Sequence, residues 1–533
     1  MTPQGAPIEI TEASSQDSLV AAMMRPEFYP KAPEEVIHKE THISHLFFAG
    51  DLVYKVKKPI RFSFLDFSSL AKRRHWLQEE LKLNRRLAPS VYIGVMPISF
   101  DERGWRLGGW SVAREYVLVM RRLPAKRMLS FLLATSQVTR TMMHELASVL
   151  ARFHNAAEAI IDIDPQSYVA ALEKQWTENI SDLESFIHEP ADRNTLKAID
   201  KFGKDFLISR RELLRRRIEE GWIRDVHGDL HAEHLCFAPE GIQIFDCIEF
   251  SPELRRCDLA SEIAFLLMDL AVRGGANLAD FLSVRYYQLI QDTSGPELLP
   301  YFQSYRALVR AKVHCLRTRG WNSDAENYFR FAAEWVWKQY QPLIVMVCGL
   351  TGTGKSTLAH ELGQRLGMTV ISSDVVRKQL AKTPNRQLLS FDQGIYAPRM
   401  TEKTYSVMTR ETERLIAAGK GVVLDATFVR RAHREKVARL AAKHKIPFFV
   451  IHCSASDETT RQRLSRRLAQ SRDISDGRWE IYLQQKAVFE PLDELALASR
   501  LEIDSELPLL SLIDLAEDFL RSRLRGGLAP GLN

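Results

Sequence analysis

Apolar positions along the chain fall into two styles. In "HLFFAGDLVYKVKK" two β-rich runs are broken at Ala49-Gly50-Asp51, which predicts a hairpin. "SLAKRRHWLQEELKLNRRLA" then spaces Leu70, Trp76, Leu77, Leu81, Leu83 and Leu87 among charges in a broadly helical pattern. "EYVLVMRRL" reads as another buried strand. Residues 128–220 are helical and charged, 226–250 a loop with short strands, and 259–340 helical again, including the strongly apolar "SEIAFLLMDLAV". At Gln341-Pro342 the style changes. "LIVMVC", "MTVISSD", "GVVLDA" and "PFFVIHC" alternate with helical segments such as 397–418 and 430–444, the pattern of a parallel sheet wrapped by helices. The expected division is a flexible lead-in 1–30, a first domain 31–340, a second 341–525 and a disordered tail 526–533. The fold class is α+β followed by α/β.

At 533 residues the chain is too long for one core. Its 73 basic and 67 acidic residues leave +6, which at this size makes no case for a nucleic-acid partner. The six cysteines are scattered without a C-x-x-C pair, which fits reduced thiols better than a disulfide frame or zinc knuckle. The N-terminal "MTPQGAPIEITEASSQDSLV" lacks the basic and apolar regions of a signal peptide. No apolar run approaches the roughly 18 residues of a membrane span. A cytoplasmic protein without a membrane partner is expected.

"CGLTGTGKST" matches G-x4-G-K-[ST] in full, between a strand-like run and a helical one. In such a loop, Gly349, Leu350, Thr351, Gly352, Thr353 and Gly354 converge backbone N–H groups on phosphate oxygens, and the helix N-terminus at Ser356-Thr357 adds partial positive charge. Lys355 supplies a mobile cation to the phosphates, and Ser356 a hydroxyl to Mg²⁺. In "ISSDVVRKQL", Asp374 ends the second strand, where a carboxylate can take a proton from an acceptor hydroxyl. Arg377, a turn later, can hold an anion. A capping Asp with a solvated Arg is the alternative. Asp425 ends the strand "GVVLDA", where it can orient Mg²⁺ or simply cap the strand. "RQRLSRRLAQSRDISDGR" carries arginines 461, 463, 466, 467, 472 and 478, with Arg463 and Arg467 on one helical face. This is either a lid that delivers arginines to the phosphates or a solvated basic helix. Residues 343–525 resemble the P-loop small-molecule and polynucleotide kinases, with the Asp-x-x-Arg similar to the 5′-hydroxyl polynucleotide kinase group. Zeta-toxin-like and gluconate-kinase-like enzymes share that frame.

A second set of candidates precedes it. In "HGDLHAEHLCF" and "QIFDCIEF", Asp229 lies in a polar loop and Asp246 at a strand end 17 residues later. Such a pair can serve as acceptor-side base and as metal ligand. This run resembles the aminoglycoside phosphotransferase family over roughly 35–340, which implies a bilobal, protein-kinase-like fold. The resemblance implies Asp229 as base, Asp246 as metal ligand, and "VYKVKK" as the strand with the ATP lysine. Lys55 is the candidate there and Lys57 the outward neighbour. Glu80, or Glu79, would be the partner on a helix, Met120 would mark the adenine-contacting hinge, and Asp258 would brace the catalytic loop. Where the family has Asn as second metal ligand this chain has His234, so that one metal suffices, Glu233 substitutes or the lobe is weakened. No GxGxxG precedes it. Histidines 227, 231 and 234 would share a face only on a helix, which Gly228 argues against; a zinc site and a purely structural loop are the other readings. The basic stretch 210–224 reads as a solvated amphipathic helix, with an anionic substrate as the alternative.

The whole resembles bacterial fusions of two kinase modules, implying ATP and Mg²⁺ as cofactors. The implied activity is γ-phosphoryl transfer to hydroxyl acceptors. These would be a small molecule for the first module, and a small molecule or polynucleotide 5′-hydroxyl for the second. The alternative is a ligand-sensing protein with a degenerate first module and a P-loop switch.

Overall fold

The computed structural model describes residues 13–62, 65–109, 112–381, 397–470 and 478–525. The expected tail 526–533 lies outside them. The chain forms two compact units, Met1–Asn179 with Gly203–Val313, and Ile180–Phe202 with His314–Asn533. Helical segments that precede the boundary read at 341 thus group with the P-loop half.

The first unit begins with an antiparallel sheet of β1 (Val36–Glu40), β2 (Ser44–Ala49), β3 (Leu52–Lys57), β6 (Tyr92–Asp101), β7 (Gly104–Leu107) and β8 (Ala113–Arg121), in the order β1-β2-β3-β8-β6-β7. The strands β4 (Arg61–Phe62) and β5 (Leu65–Asp66) form a separate short pair. The hairpin at Gly50-Asp51 sets the register Ala49↔Leu52, with Gly50 at φ 61°. The helix Leu70–Asn84 is capped by Ser69, whose hydroxyl accepts the Lys72 N–H. Its Leu77 joins Leu118, Tyr92 and partly buried Met120 and Phe245 in one apolar cluster. Residues 13–23, within the expected flexible lead-in, instead form a helix whose Leu19 and Met23 are buried against Phe47, Tyr54 and Val117. The apolar positions of "SLVAAMM" find a core there, which offsets the entropy of ordering them.

The helical remainder of this unit packs Leu146 and Leu150 of Arg140–Ala156, and Leu282 and Tyr286 of Ala276–Ile290, around the helix Leu259–Val272. Two short pairs, β9 (Ile223–Asp225) with β12 (Arg256–Asp258) and β10 (Leu235–Ala238) with β11 (Gly241–Ile244), frame the segment 226–234.

The second unit contains a five-stranded parallel sheet in the order β14-β15-β13-β16-β17, from β13 (Ile344–Cys348), β14 (Thr369–Ser372), β15 (Val422–Asp425), β16 (Phe448–Ser454) and β17 (Arg500–Asp504). Its core joins Ile344, Met346, Leu424 and Val450 to Met408, Ile416 and Val437 from the helices Pro398–Ala417 and Arg431–His444. Four strands match the alternating pattern. The fifth, "RLEID", is a short, charged strand at one end of the order and carried no apolar signal. Among the described residues, no helix is long and apolar enough to cross a membrane, and the six cysteines are free thiols.

Candidate active sites

In the second unit, β13 runs into the glycine loop and the helix Lys355–Leu366 begins at Lys355. Gly349, Gly352 and Gly354 all have positive φ, at 143°, 85° and 83°. At Gly349 a Cβ would lie 2.3 Å from the Cys453 carbonyl oxygen, and at Gly352 one would meet Leu464 and Thr460 at 2.9 Å. Only glycine serves both needs. The Thr353 hydroxyl donates to the Leu350 carbonyl at 2.8 Å, and the Thr351 N–H donates to Gln485 Oε1 at 2.9 Å, so the loop is tied from inside and outside.

The Ser356 hydroxyl donates to Asp425 Oδ1 at 3.0 Å. Asp425 ends the strand between β13 and β14, in register with Val347 and Ser372. Burial raises its carboxyl above the ordinary value, opposed by Lys355, Ser356 and Ser372. Asp374 lies in the first turn of the helix Ser373–Ala381, half-buried, and Arg377 one turn on is 8% exposed. Both act on the buried Tyr405, whose hydroxyl accepts the Phe428 N–H. Arg463 donates to the Ser505 hydroxyl at 3.0 Å and to its carbonyl at 2.7 Å. It lines a cavity of about 370 Å³ with Gly352, Gly354, Thr357, Arg466, Ser505 and Leu507. The Arg467 side chain and Arg472 lie outside the described residues. Gln485 and Ser505 carry no motif; each lies in a polar stretch far along the chain, and only the fold brings them to the loop.

In the first unit, Lys55 Nζ lies 2.7 Å from Glu80 Oε1 and 3.1 Å from Asp246 Oδ1. Glu80, not Glu79, is thus the helix partner. Burial opposes the charge on Lys55, but Asp246 and Glu80 outweigh it and hold the ammonium well above its ordinary value. Lys57 does not face outward. It is fully buried, 2.8 Å from Glu80 Oε2 and 2.5 Å from Glu249 Oε1. Side chains two apart in a strand share a face, so Lys55 and Lys57 point the same way. Met120 is in register with Val53 and Tyr92.

Asp229 and Asp246 come together across His234. The His234 Nδ1 is 3.5 Å from Asp229 Oδ2, and its Nε2 is 3.5 Å from Asp246 Oδ2. Burial raises both carboxyls. His231 and His234 around Asp229, and Lys55 and His234 around Asp246, outweigh that and hold both well below the ordinary range. Asp246 has φ 64°, and its N–H donates to the Tyr92 hydroxyl at 3.1 Å. His227 is buried and held neutral, with its pKa pushed down to about 3 by burial and then by His234.

Two expectations about this loop are corrected. Asp258 does not brace it; Asp258 caps the helix Leu259–Val272 and pairs with Arg217 at 2.7 Å. Glu262 is the brace, accepting the N–H groups of His227 and Gly228 at 3.0 Å each, while Asp269 accepts the Ala232 N–H at 2.9 Å. Both lie seven apart inside an apolar stretch, and that spacing was the available signal. Glu233 turns instead to Arg273 at 2.9 Å and Arg310 at 3.3 Å, so it does not stand in as a metal ligand. Arg217, within the basic stretch read as solvated, is fully buried between Asp258 and Asp292.

Residues 344–492 match the AAA domain family. This part of the chain is a P-loop kinase-like domain. Over most of its length the chain is 31% identical to the uncharacterized protein Rv2004c of Mycobacterium tuberculosis (strain ATCC 25618 / H37Rv); the 445 aligned residues cover 82% of this chain and 87% of that one. The chain belongs to the same family as that protein. It is also 37% identical over 76 residues to the 2-phosphoglycerate kinase of Pyrococcus horikoshii, covering 13% of this chain and 23% of that one. Among solved structures, a gluconokinase from Sinorhizobium meliloti 1021 aligns at a TM-score of 0.27 with 16% identity, covering 35% of this chain and 95% of that one.

The different surroundings of the two lysines give separable outcomes. Lys57→Met leaves Glu249 buried without its cation and lowers the stability of the first unit by about 3–5 kcal/mol, read as a shifted denaturation midpoint; an unchanged midpoint contradicts the pairing. Glu262→Leu strips the His227 and Gly228 amides of their acceptor, so hydrogen exchange at both accelerates. Protection equal to that of the wild-type chain would show that another group braces the loop.

Proposed function

We propose that the chain is a two-site ATP-dependent phosphotransferase, with a protein-kinase-like site in the first unit and a P-loop kinase site in the second. One observation carries this reading: each unit groups a lysine, a carboxylate suited to holding a cation and a separate carboxylate for the acceptor. In the second unit these are Lys355, Asp425 and Asp374; in the first they are Lys55, Asp246 and Asp229. The Ser356–Asp425 contact at 3.0 Å and the Lys55–Asp246 contact at 3.1 Å support reading these groups as the phosphate side of each.

In the second unit the glycine-loop N–H groups and Lys355 hold the phosphates, and Arg463 and Arg466 border the same cavity. Ser356 and Asp425 are oxygen donors that suit Mg²⁺, which when bound neutralises charge on the phosphates. Asp374 accepts the acceptor proton and Arg377 holds an anionic group of the acceptor. The similarity to 2-phosphoglycerate kinases favours a small hydroxy compound bearing phosphate or carboxylate. In the first unit, Asp229 is ionised and takes the proton of a small hydroxyl acceptor, Lys55 holds phosphate oxygens, and the stretch around Met120 contacts adenine.

A panel of hydroxyl compounds with labelled ATP tests this. Lys355→Ala should abolish transfer by the second unit alone, leaving the acceptors of the first unchanged; unchanged transfer to every acceptor contradicts the assignment. Asp229→Asn and Asp374→Asn should each lower kcat for their own acceptor by about 10²–10⁴-fold while nucleotide affinity survives. ATP turnover indifferent to every acceptor would contradict the phosphotransferase reading.

A further inference from the structure

Three histidines crowd the loop that carries Asp229, and their hydrogen bonds give each ring nitrogen a role. His227 has both engaged: Nε2–H donates to the Phe245 carbonyl at 2.9 Å, and Nδ1 accepts the Asp229 N–H at 3.3 Å. His231 accepts the Glu233 N–H at Nδ1, 3.3 Å away, and its Nε2 lies 3.5 Å from both Asp229 Oδ2 and the Arg310 guanidinium. A ring nitrogen that carries a proton has no lone pair for a metal. Asp229, His231 and His234 bring ligand atoms within 4.8 Å of one another, but a cation at His231 Nε2 would lie beside the Arg310 guanidinium, which repels it.

His234 has the opposite arrangement. Its Nδ1 lies 2.9 Å from the Asp229 carbonyl, which can only accept, so the proton is on Nδ1. In the neutral ring that leaves a lone pair on Nε2, which looks at Asp246 Oδ2 across 3.5 Å. Two acceptors facing each other repel unless a proton or a metal cation lies between them. Bonds of about 2.1 Å to a common cation set two ligand atoms about 3.0–3.4 Å apart, so the gap needs almost no adjustment. An N–H anchored on a backbone carbonyl is also the usual outer support of a metal-bound imidazole.

We propose that His234 Nε2 and Asp246 Oδ2 together bind a first-row divalent cation that accepts nitrogen, with phosphate oxygens of the nucleotide completing its shell. Mg²⁺, the cation implied by the family resemblance, takes oxygen donors and does not fit this set. The first unit therefore differs from the second, whose Ser356 and Asp425 offer oxygen alone. The proposal rests on the reading of the first unit as a nucleotide site.

Pulsed EPR of the full-length protein with Mn²⁺ and ADP tests it. The expected spectrum shows nitrogen coupling from one directly bound imidazole, kept in Lys355→Ala and lost in His234→Asn. In the Lys355→Ala background, His234→Asn should also shift the ratio of Mn²⁺ to Mg²⁺ affinity toward Mg²⁺ by about 10-fold or more. Mn²⁺ bound to the first unit without nitrogen coupling overturns the proposal and leaves the phosphotransferase reading standing. So does coupling that survives His234→Asn and disappears in His231→Asn. If Lys355→Ala removes all binding of Mn²⁺ with ADP, the first unit holds no such site, and the reading beneath the proposal fails with it.

Discussion

A row of charges, buried except at one end, holds the first unit's site together. Asp246, Lys55, Glu80, Lys57 and Glu249 alternate in sign, each within 3.1 Å of the next. Strand β3 supplies both lysines, the helix Leu70–Asn84 supplies Glu80, and the segment after β11 supplies both outer carboxylates. Three separate parts of the unit are thus fixed by one electrostatic chain. Three carboxylates share two ammonium groups, so the row is short of one positive charge. Glu249, at the buried end, is pushed up by burial; Asp246, at the other, is nearly half exposed. Asp246, at the exposed end, faces His234 at 3.5 Å, where a cation can reach it. Removing any interior member leaves a buried charge uncompensated, which costs more than the pair itself contributes.

The second unit relies on backbone shape. Its glycine loop is pressed against the end of β16 and the helix Asp457–Gln470 so closely that side chains at Gly349 and Gly352 would collide with Cys453, Thr460 and Leu464. Packing as well as phosphate approach requires those glycines. Asp425 then needs only its place at the end of β15 to reach Ser356. Few side chains have to be arranged, which is why a short motif defines the site.

This contrast explains what could be read from the sequence. The P-loop, the strands before and after it and the Asp229–Asp246 pair are encoded by residues close together in the chain, so spacing alone located them. Lys57, Glu262 and Arg217 were misread or missed because their roles depend on partners far away in sequence. Lys57 lies 192 residues from Glu249 and Arg217 41 from Asp258. A charged residue in a polar-looking stretch resembles a solvated one until its partner is known. Glu262 and Asp269 gave the clearer hint, since buried acids in an apolar helix need donors, but the sequence did not say that those donors were backbone amides of the site loop. β17 and the helix at 13–23 gain their stability from tertiary packing more than from local preference.

The central claim is that one chain holds two nucleotide sites of different construction. Equilibrium dialysis of a non-hydrolysable ATP analogue against the full-length protein, with Mn²⁺ present, counts them directly. The account predicts two sites per chain, falling to one in Lys355→Ala and to one in Asp246→Asn. A single site that Lys355→Ala abolishes and Asp246→Asn leaves intact would contradict it.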